Sequence, residues 1–110
     1  MAIDWTQVGS DVQKAVVGVL GANWQTVKTG ASAQITALLM VGQSIETDAA
    51  AGTITELEYK SLKASQETAL SGILHSYEAI GIVVAQQAAA AAWNVVCAAI
   101  SKAYALPFAL

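Results

Sequence analysis

Apolar residues recur at steps of three and four along almost the whole chain, and no proline interrupts them before Pro107. The first half of the pattern runs through Trp5, Val8, Val12, Val16, Val19, Val27, Leu38, Val41 and Ile45. This spacing places side chains on one face of an α-helix, and the strict alternation typical of a β-strand is absent. Proline removes a backbone donor and ends a helix. The sequence therefore predicts an all-α fold.

Composition limits the classes of protein to which the chain can belong. Its 110 residues suit one helical domain over 1–110. Hydrophobic residues make up 55% and charged residues 12%, which excludes a disordered chain. A net charge of −3, with five lysines and no arginine, gives no basic surface for nucleic acid. One cysteine excludes an internal disulfide.

The clearest helix boundary lies between residues 49 and 59. Gly52 can adopt the left-handed conformation that closes a helix. Thr55 and Glu58 form a capping box at the start of a second helix, and Ile54 and Tyr59 are spaced as its hydrophobic staple. These cues predict a short turn between two helices.

The preferred architecture is an antiparallel hairpin of two long helices that packs as an oligomeric helical bundle. Asp4 is the predicted N-cap of a helix over about 5–50, followed by a turn at about 51–55 and a helix over about 56–104, before a short C-terminal tail. Each helix would be about 70 Å long at 1.5 Å per residue. The alternative is a compact four-helix bundle in one chain, with breaks near Thr29-Gly30 and Gly81. The unbroken hairpin is preferred because neither site carries a proline, a cluster of turn residues or a new N-cap.

Both helices contain apolar residues at steps of eleven, which suit a straight helix or a slightly right-handed coiled coil. The first set is Trp5, Val16, Val27 and Leu38, and the second is Leu62, Ile73, Val84, Val95 and Leu106. Any long amphipathic helix contains some run of this kind, so an ordinary helix face remains the other interpretation.

Charge is concentrated around the turn, and the arms of the hairpin have little. No charged residue lies between Lys28 and Glu46 or between Glu78 and Lys102. A helix packed on one neighbour hides a stripe of about 100°, but these arms are apolar over more than that. Further apolar residues lie beside the main seam of each helix, namely Val17, Leu20, Trp24, Ile35 and Leu39 in the first and Ile82, Val83 and Val96 in the second. We therefore expect the surplus surface to be covered by another copy of the chain, another helical protein or lipid.

A membrane-inserting hairpin, of a holin or pore-forming kind, is the main alternative to a soluble oligomer. Residues 79–101 are long enough to cross a bilayer, but Gln86, Gln87 and Asn94 lie near the centre and no Lys/Arg cluster flanks the segment. Gln87, Asn94 and Ser101 share one polar face. A carrier for an apolar ligand is a third hypothesis.

The tryptophans and the small residues each allow two interpretations of their role. Trp5, Trp24 and Trp93 are either core anchors, which is the commoner role, or an aromatic belt away from the acidic turn. Closely spaced small residues such as Ala88–Ala92 allow close helix approach, although alanine is also the best helix former.

No catalytic, cofactor-binding or metal site is predicted, and we expect a non-enzymatic protein. His75 is the only histidine, with Glu78 one turn away, and it is interpreted as a surface or interface residue rather than a metal ligand. Cys97 lies among apolar residues, where a thiol is inert, and is interpreted as a packing residue. Glu56 and Glu58 suit a helix start better than an acid–base pair.

Three parts of the sequence carry a resemblance to a known group of proteins. The opening Ile3-Asp4-Trp5 with Val8-Gly9, the segment Trp24-Gln25-Thr26-Val27-Lys28 and the turn over 52–58 resemble those of small uncharacterised helical proteins of tailed phages and prophages. The resemblance implies a virion or lysis-related setting and brings no functional residue with it. The start of the sequence does not look like a secretory signal peptide, so a cytoplasmic or virion location is expected, with the membrane as the alternative.

Overall fold

The computed structural model describes residues 2–110, and all regular structure within that range is helical. Helix α1 spans Trp5–Leu20, and one 3₁₀ turn at Gly21–Asn23 joins it to α2. The remaining helices are α2 (Trp24–Ala51), α3 (Glu56–His75) and α4 (Ile82–Ala103). Each helix packs against its neighbours in sequence, and α4 closes the ring against α1. The all-α prediction is confirmed.

The prediction of two unbroken helices is wrong, and the chain instead adopts the alternative compact four-helix arrangement. The second predicted helix is interrupted between His75 and Ile82, around the Gly81 of the alternative. The first is interrupted at Gly21–Asn23, whereas Thr29 and Gly30 lie inside α2. The molecule measures 42 × 25 × 19 Å, well short of the length of the predicted hairpin.

The reversal between α1 and α2 depends on Gly21. Its φ of 58° and ψ of −131° form a conformation that side chains with a Cβ rarely adopt. The Gly21 backbone N–H still donates to the Val17 carbonyl, so the end of α1 is capped while the chain turns. The chain therefore reverses its direction at a single glycine, without a proline or an N-cap residue that would mark the helix boundary in the sequence.

The predicted connection between α2 and α3 is confirmed in its main details. Gly52 ends α2 in the left-handed conformation, with φ 74° and ψ 19°. The Thr55 hydroxyl accepts a hydrogen bond from the Glu58 backbone N–H at 3.1 Å, and Ile54 and Tyr59 are both buried. This is one half of the predicted capping box, and the returning bond from the Thr55 N–H to the Glu58 carboxylate is not formed among the described residues. The outer boundaries also agree, because Asp4 caps α1 and α4 ends at Ala103.

The short connections make the bundle run up, down, up and down, which gives it two distinct ends. One end brings together the segment before α1, the α2–α3 connection and the tail after α4, and we call it the termini end. The opposite end holds the α1–α2 and α3–α4 connections.

Close approach of the helices at the core depends on small side chains. Ala85, Ala88, Ala89 and Ala92 of α4 are fully buried. On α2, Gly42 faces the Trp5 ring so closely that a Cβ built there would lie 2.6 Å from it. The α4 alanines therefore lie at helix contacts, where small side chains allow close approach.

Most of the apolar surface predicted to need a partner is covered within the single chain. Leu20, Trp24 and Ile35, expected beside the main seam, are buried, as is Val96. Ile82 and Val83 remain exposed. The uncovered apolar surface of these residues is therefore concentrated at the start of α4, and it does not extend along both arms of a hairpin as predicted.

Candidate functional site

The most exposed run of large apolar residues lies at the start of α4. Ile82 is 54% exposed, Val83 62% and Val84 36%, and we call these three residues the aliphatic patch. Isolated exposed apolar residues are ordinary on soluble proteins, but adjacent ones are the usual sign of an interaction surface. The patch is therefore the leading candidate for a functional surface.

The α3–α4 connection holds the aliphatic patch outward. Ile80 is buried, and its backbone N–H donates to the Tyr77 carbonyl at 3.0 Å. His75 Nδ1 lies 3.1 Å from the Ile80 carbonyl oxygen. Gly81 is extended, with φ −70° and ψ 157°, and α4 begins directly after it. Ile82, Val83 and Val84 are therefore exposed between the buried Ile80 and Ala85, and the exposed Glu78 precedes them in the connection.

A second apolar surface lies at the termini end, between the start of α1 and the end of α4. It is a groove of about 370 Å³, which we call the terminal groove. It is lined by Ala2, Ile3, Asp4, Gln7, Val8, Ala99, Lys102 and Ala103. Most of its lining is aliphatic, and Lys102 supplies its one cationic side chain.

The Glu46 carboxylate links the segments that meet at the termini end. Glu46 Oε2 accepts hydrogen bonds from the Ile3 backbone N–H at 2.8 Å and the Tyr104 hydroxyl at 2.9 Å. Glu46 Oε1 accepts one from Trp5 Nε1 at 2.7 Å. Glu46 therefore ties the N-terminal segment, α1 and the C-terminal tail to α2.

The hydrogen bonds also set the ionisation of this cluster. Burial acts to raise the pKa of Glu46, but the bonds from Trp5, Ile3 and Tyr104 favour the charged form and hold the pKa below its ordinary value. The bond to Glu46 raises the pKa of Tyr104 above its ordinary value. The cluster is thus a charged carboxylate with neutral donors around it, an arrangement that suits structural anchoring.

Aromatic residues pack beside this cluster. Trp93 Nε1 donates to the Tyr59 hydroxyl at 2.9 Å, and the Tyr59 ring centroid lies 5.8 Å from that of Phe108. Burial raises the pKa of Tyr59 well above its ordinary value, with a further contribution from Cys97. Phe108 and Tyr59 thereby fasten the C-terminal tail to the core.

The tryptophans do not form a belt. Trp24 and Trp93 are buried in the core. Trp5 is half-buried at the termini end, beside Glu46, whereas Trp24 begins α2 at the opposite end. The interpretation of tryptophan as a core anchor is therefore confirmed for Trp24 and Trp93.

The residues considered for chemistry are dispersed. His75 is exposed at the end of α3, as interpreted, and Cys97 is half-buried against the core. Within residues 2–110, no three His, Cys, Asp or Glu side chains are grouped closely enough to hold a metal ion. The polar face of Gln87, Asn94 and Ser101 is exposed on α4.

The acidic residues at the start of α3 act mainly on local structure. Glu56 makes an exposed ion pair with Lys60 at 3.3 Å. A hydrogen bond with the Asp48 carboxyl raises the pKa of Glu58 above its ordinary value. The two acids lie on either side of the connection between α2 and α3.

Sequence reasoning identified neither surface completely. Ile82 and Val83 were identified as surplus apolar residues, but the preferred hairpin continued the helix through residues 76–81, and the break near Gly81 was only the alternative. The terminal groove combines residues from the two ends of the chain, and no local spacing indicates that they meet.

Comparison with known proteins gives no match, since no family model, curated protein or solved structure is significantly similar to the chain.

Proposed function

We propose that the protein is a non-enzymatic structural or assembly protein that self-associates through the aliphatic patch. The observation that carries the proposal is the exposure of three consecutive aliphatic residues, Ile82–Val84, on a bundle whose other large apolar residues are mostly covered. The partner is a second copy of this chain, and another helical protein is the alternative partner.

The position of the patch explains why its burial requires a second molecule. Fully burying a Val or Ile side chain stabilises a protein by about 1.5–3 kcal/mol. The fold does not gain this at Ile82 and Val83, because both side chains face solvent, whereas Ala85 of the same turn is buried in the core. Contact with another molecule can gain part of it.

The proposed setting is a phage virion. It is supported only by the resemblance of Ile3-Asp4-Trp5, Trp24–Lys28 and the 52–58 turn to small proteins of tailed phages and prophages. A small protein that self-associates through a small contact suits the role of a virion component that is present in many copies. Nucleic acid is not a proposed partner, given the net charge of −3.

Self-association is tested by light scattering from micromolar to millimolar concentration, with Val83→Ser compared with Met40→Ser. The two side chains are exposed to nearly the same fraction, 62% and 63%, and methionine is the larger, so the control removes at least as much apolar surface from a different place. We expect wild type and Met40→Ser to increase in mass with concentration, and Val83→Ser to remain a monomer. A wild-type chain that stays monomeric at millimolar concentration contradicts the proposal.

Membrane insertion is the second candidate function, and α4 is the observation that favours it. Ile82–Ala103 is long enough to cross a bilayer, with a mean hydropathy of 1.5 over its most apolar window. A core helix of a soluble protein satisfies the same criteria, and 33% of that window is buried inside the bundle. Flotation with anionic lipid vesicles tests it, and recovery of the chain with the vesicles would favour insertion over assembly in water.

A further inference from the structure

We infer that the aliphatic patch of one copy docks into the terminal groove of the next copy, so that the chains join head to tail. The inference rests on the proposed self-association and adds its geometry. The two surfaces lie at opposite ends of the bundle, separated by the length of α4, which is about 30 Å.

The two surfaces are both apolar, but one is an exposed helix turn and the other is a groove. Ile82 and Val83 are more than half exposed on the first turn of α4. The groove is lined mainly by aliphatic and alanine side chains, including Ile3, Val8 and Ala99. Side chains of a helix turn bury more of their surface in a groove than against a second exposed turn.

Charge favours the head-to-tail pairing over the symmetric ones. The exposed Glu78 lies in the turn that leads into the patch, and Lys102 lines the groove. Joining patch to patch brings two Glu78 carboxylates to one interface, and joining groove to groove brings two Lys102 ammonium groups together. Patch in groove brings Glu78 of one copy to Lys102 of the next.

The remaining acid of the groove is already engaged. The Asp4 carboxylate accepts hydrogen bonds from the backbone N–H groups of Thr6 and Gln7, at 3.1 and 3.2 Å. Its charge is thereby directed at the N-terminus of α1. Lys102 is left as the groove's partner for an incoming acid.

A contact between two different surfaces leaves one of each free on every pair. Such heterologous contacts extend into a filament, or into a ring if the rotation closes. Repetition of this one contact would therefore be sufficient for 110-residue chains to build an extended structure, as the proposed structural role requires.

The test is charge reversal at the two residues, measured by sedimentation velocity at low salt. Glu78→Lys places lysine at both surfaces, and Lys102→Glu places glutamate at both, so each variant repels itself. We expect each to weaken self-association about five- to tenfold, in line with the energies of exposed ion pairs. Mixing the two variants in equal amounts restores opposite charges at every contact, and the mixture should assemble like wild type.

Lys14→Glu is the matched control, because it makes the same change in net charge as Lys102→Glu on the exposed face of α1. It should associate like wild type. All the altered residues are exposed, and circular dichroism confirms that each variant is folded.

Four outcomes overturn the inference. If wild type assembles but Lys102→Glu assembles equally well, or if the mixture does not recover, the head-to-tail geometry is wrong and self-association still stands. If wild type is monomeric throughout, the proposed function fails with it. Uptake of a fatty acid such as myristate by a monomeric chain would assign the groove to a ligand and also overturn the inference.

Discussion

Glu46 is the residue on which the termini end depends, and its replacement is the sharpest test at the scale of one side chain. Glu46→Gln keeps the shape but replaces one accepting oxygen by an amide that donates, so donors from Ile3, Trp5 and Tyr104 can no longer all be satisfied. We expect the free energy of unfolding in urea to fall by about 1.5–3 kcal/mol.

Glu56→Gln is the control for this measurement. Glu56 makes only an exposed ion pair with Lys60 at the start of α3, so its loss should cost at most about 1 kcal/mol. Equal effects of the two substitutions would show that the Glu46 hydrogen bonds contribute little to stability.

The pKa of Glu46 predicts how this stabilisation varies with pH. Because its folded-state pKa lies below the ordinary value of about 4.3, the stabilisation is fully present above that value. It is lost as the pH falls through the lower folded-state pKa. The difference in unfolding free energy between wild type and Glu46→Gln should therefore be constant from pH 7 to 5 and shrink towards pH 2. A difference that grows on acidification would contradict the assignment.

Sequence reasoning could not identify the role of Glu46. Its hydrogen-bond partners are 41, 43 and 58 residues away along the chain. Local spacing marked it only as one of the acids near the turn. By contrast, the role of Asp4 as an N-cap was predictable, because its partners are two and three residues ahead of it.

At the scale of the helices, Gly42 tests whether α2 is held close to its neighbours by the lack of a side chain. A Cβ at Gly42 would lie 2.6 Å from Trp5 Cη2 and 3.0 Å from Val96 Cγ1. The helix propensity of alanine favours Gly42→Ala by up to about 1 kcal/mol, but forcing the helices apart costs about 1–3 kcal/mol. We expect a net loss of stability in thermal unfolding.

Gly72 in α3 is the matched position, because a Cβ there would meet nothing within 4 Å. Gly72→Ala should therefore stabilise the protein, by up to about 1 kcal/mol. If both substitutions stabilise, α1 and α2 can move apart without cost and the packing at Gly42 is not close.

The helix faces were harder to predict than the helix ends. In α1 and α2 the residues at steps of eleven do face the core, since Val16, Val27 and Leu38 are buried. In the second half, Ile73 and Val84 lie at the surface, and the core face of α4 is formed largely by alanines. Hydrophobicity alone selected the larger aliphatic residues, whereas a helix between two close neighbours buries its smaller ones.

At the scale of the whole molecule, the difference between a rod and a bundle depends on two short connections. Gly21–Asn23 and residues 76–81 contain no proline, and in an isolated helix their glycines would cost little. What favours the reversals is the core that forms afterwards, in which distant residues such as Trp93 and Tyr59 meet. A sequence pattern reports the local cost of a break but not the burial gained by folding back.

Small-angle X-ray scattering extrapolated to zero concentration distinguishes these two shapes. The bundle has a Cα radius of gyration of 13.8 Å, close to the value of about 13 Å expected for a compact chain of this length. A hairpin with arms of about 70 Å would exceed it substantially, because its mass is spread along the rod. We expect a value near 14–15 Å for the monomer, including its hydration layer, and a rise with concentration in wild type but not in Val83→Ser. A value near 20 Å at infinite dilution would contradict the folded-back bundle and return the exposed arms to consideration, since the aliphatic patch exists as a local surface only if the chain turns at residues 76–81.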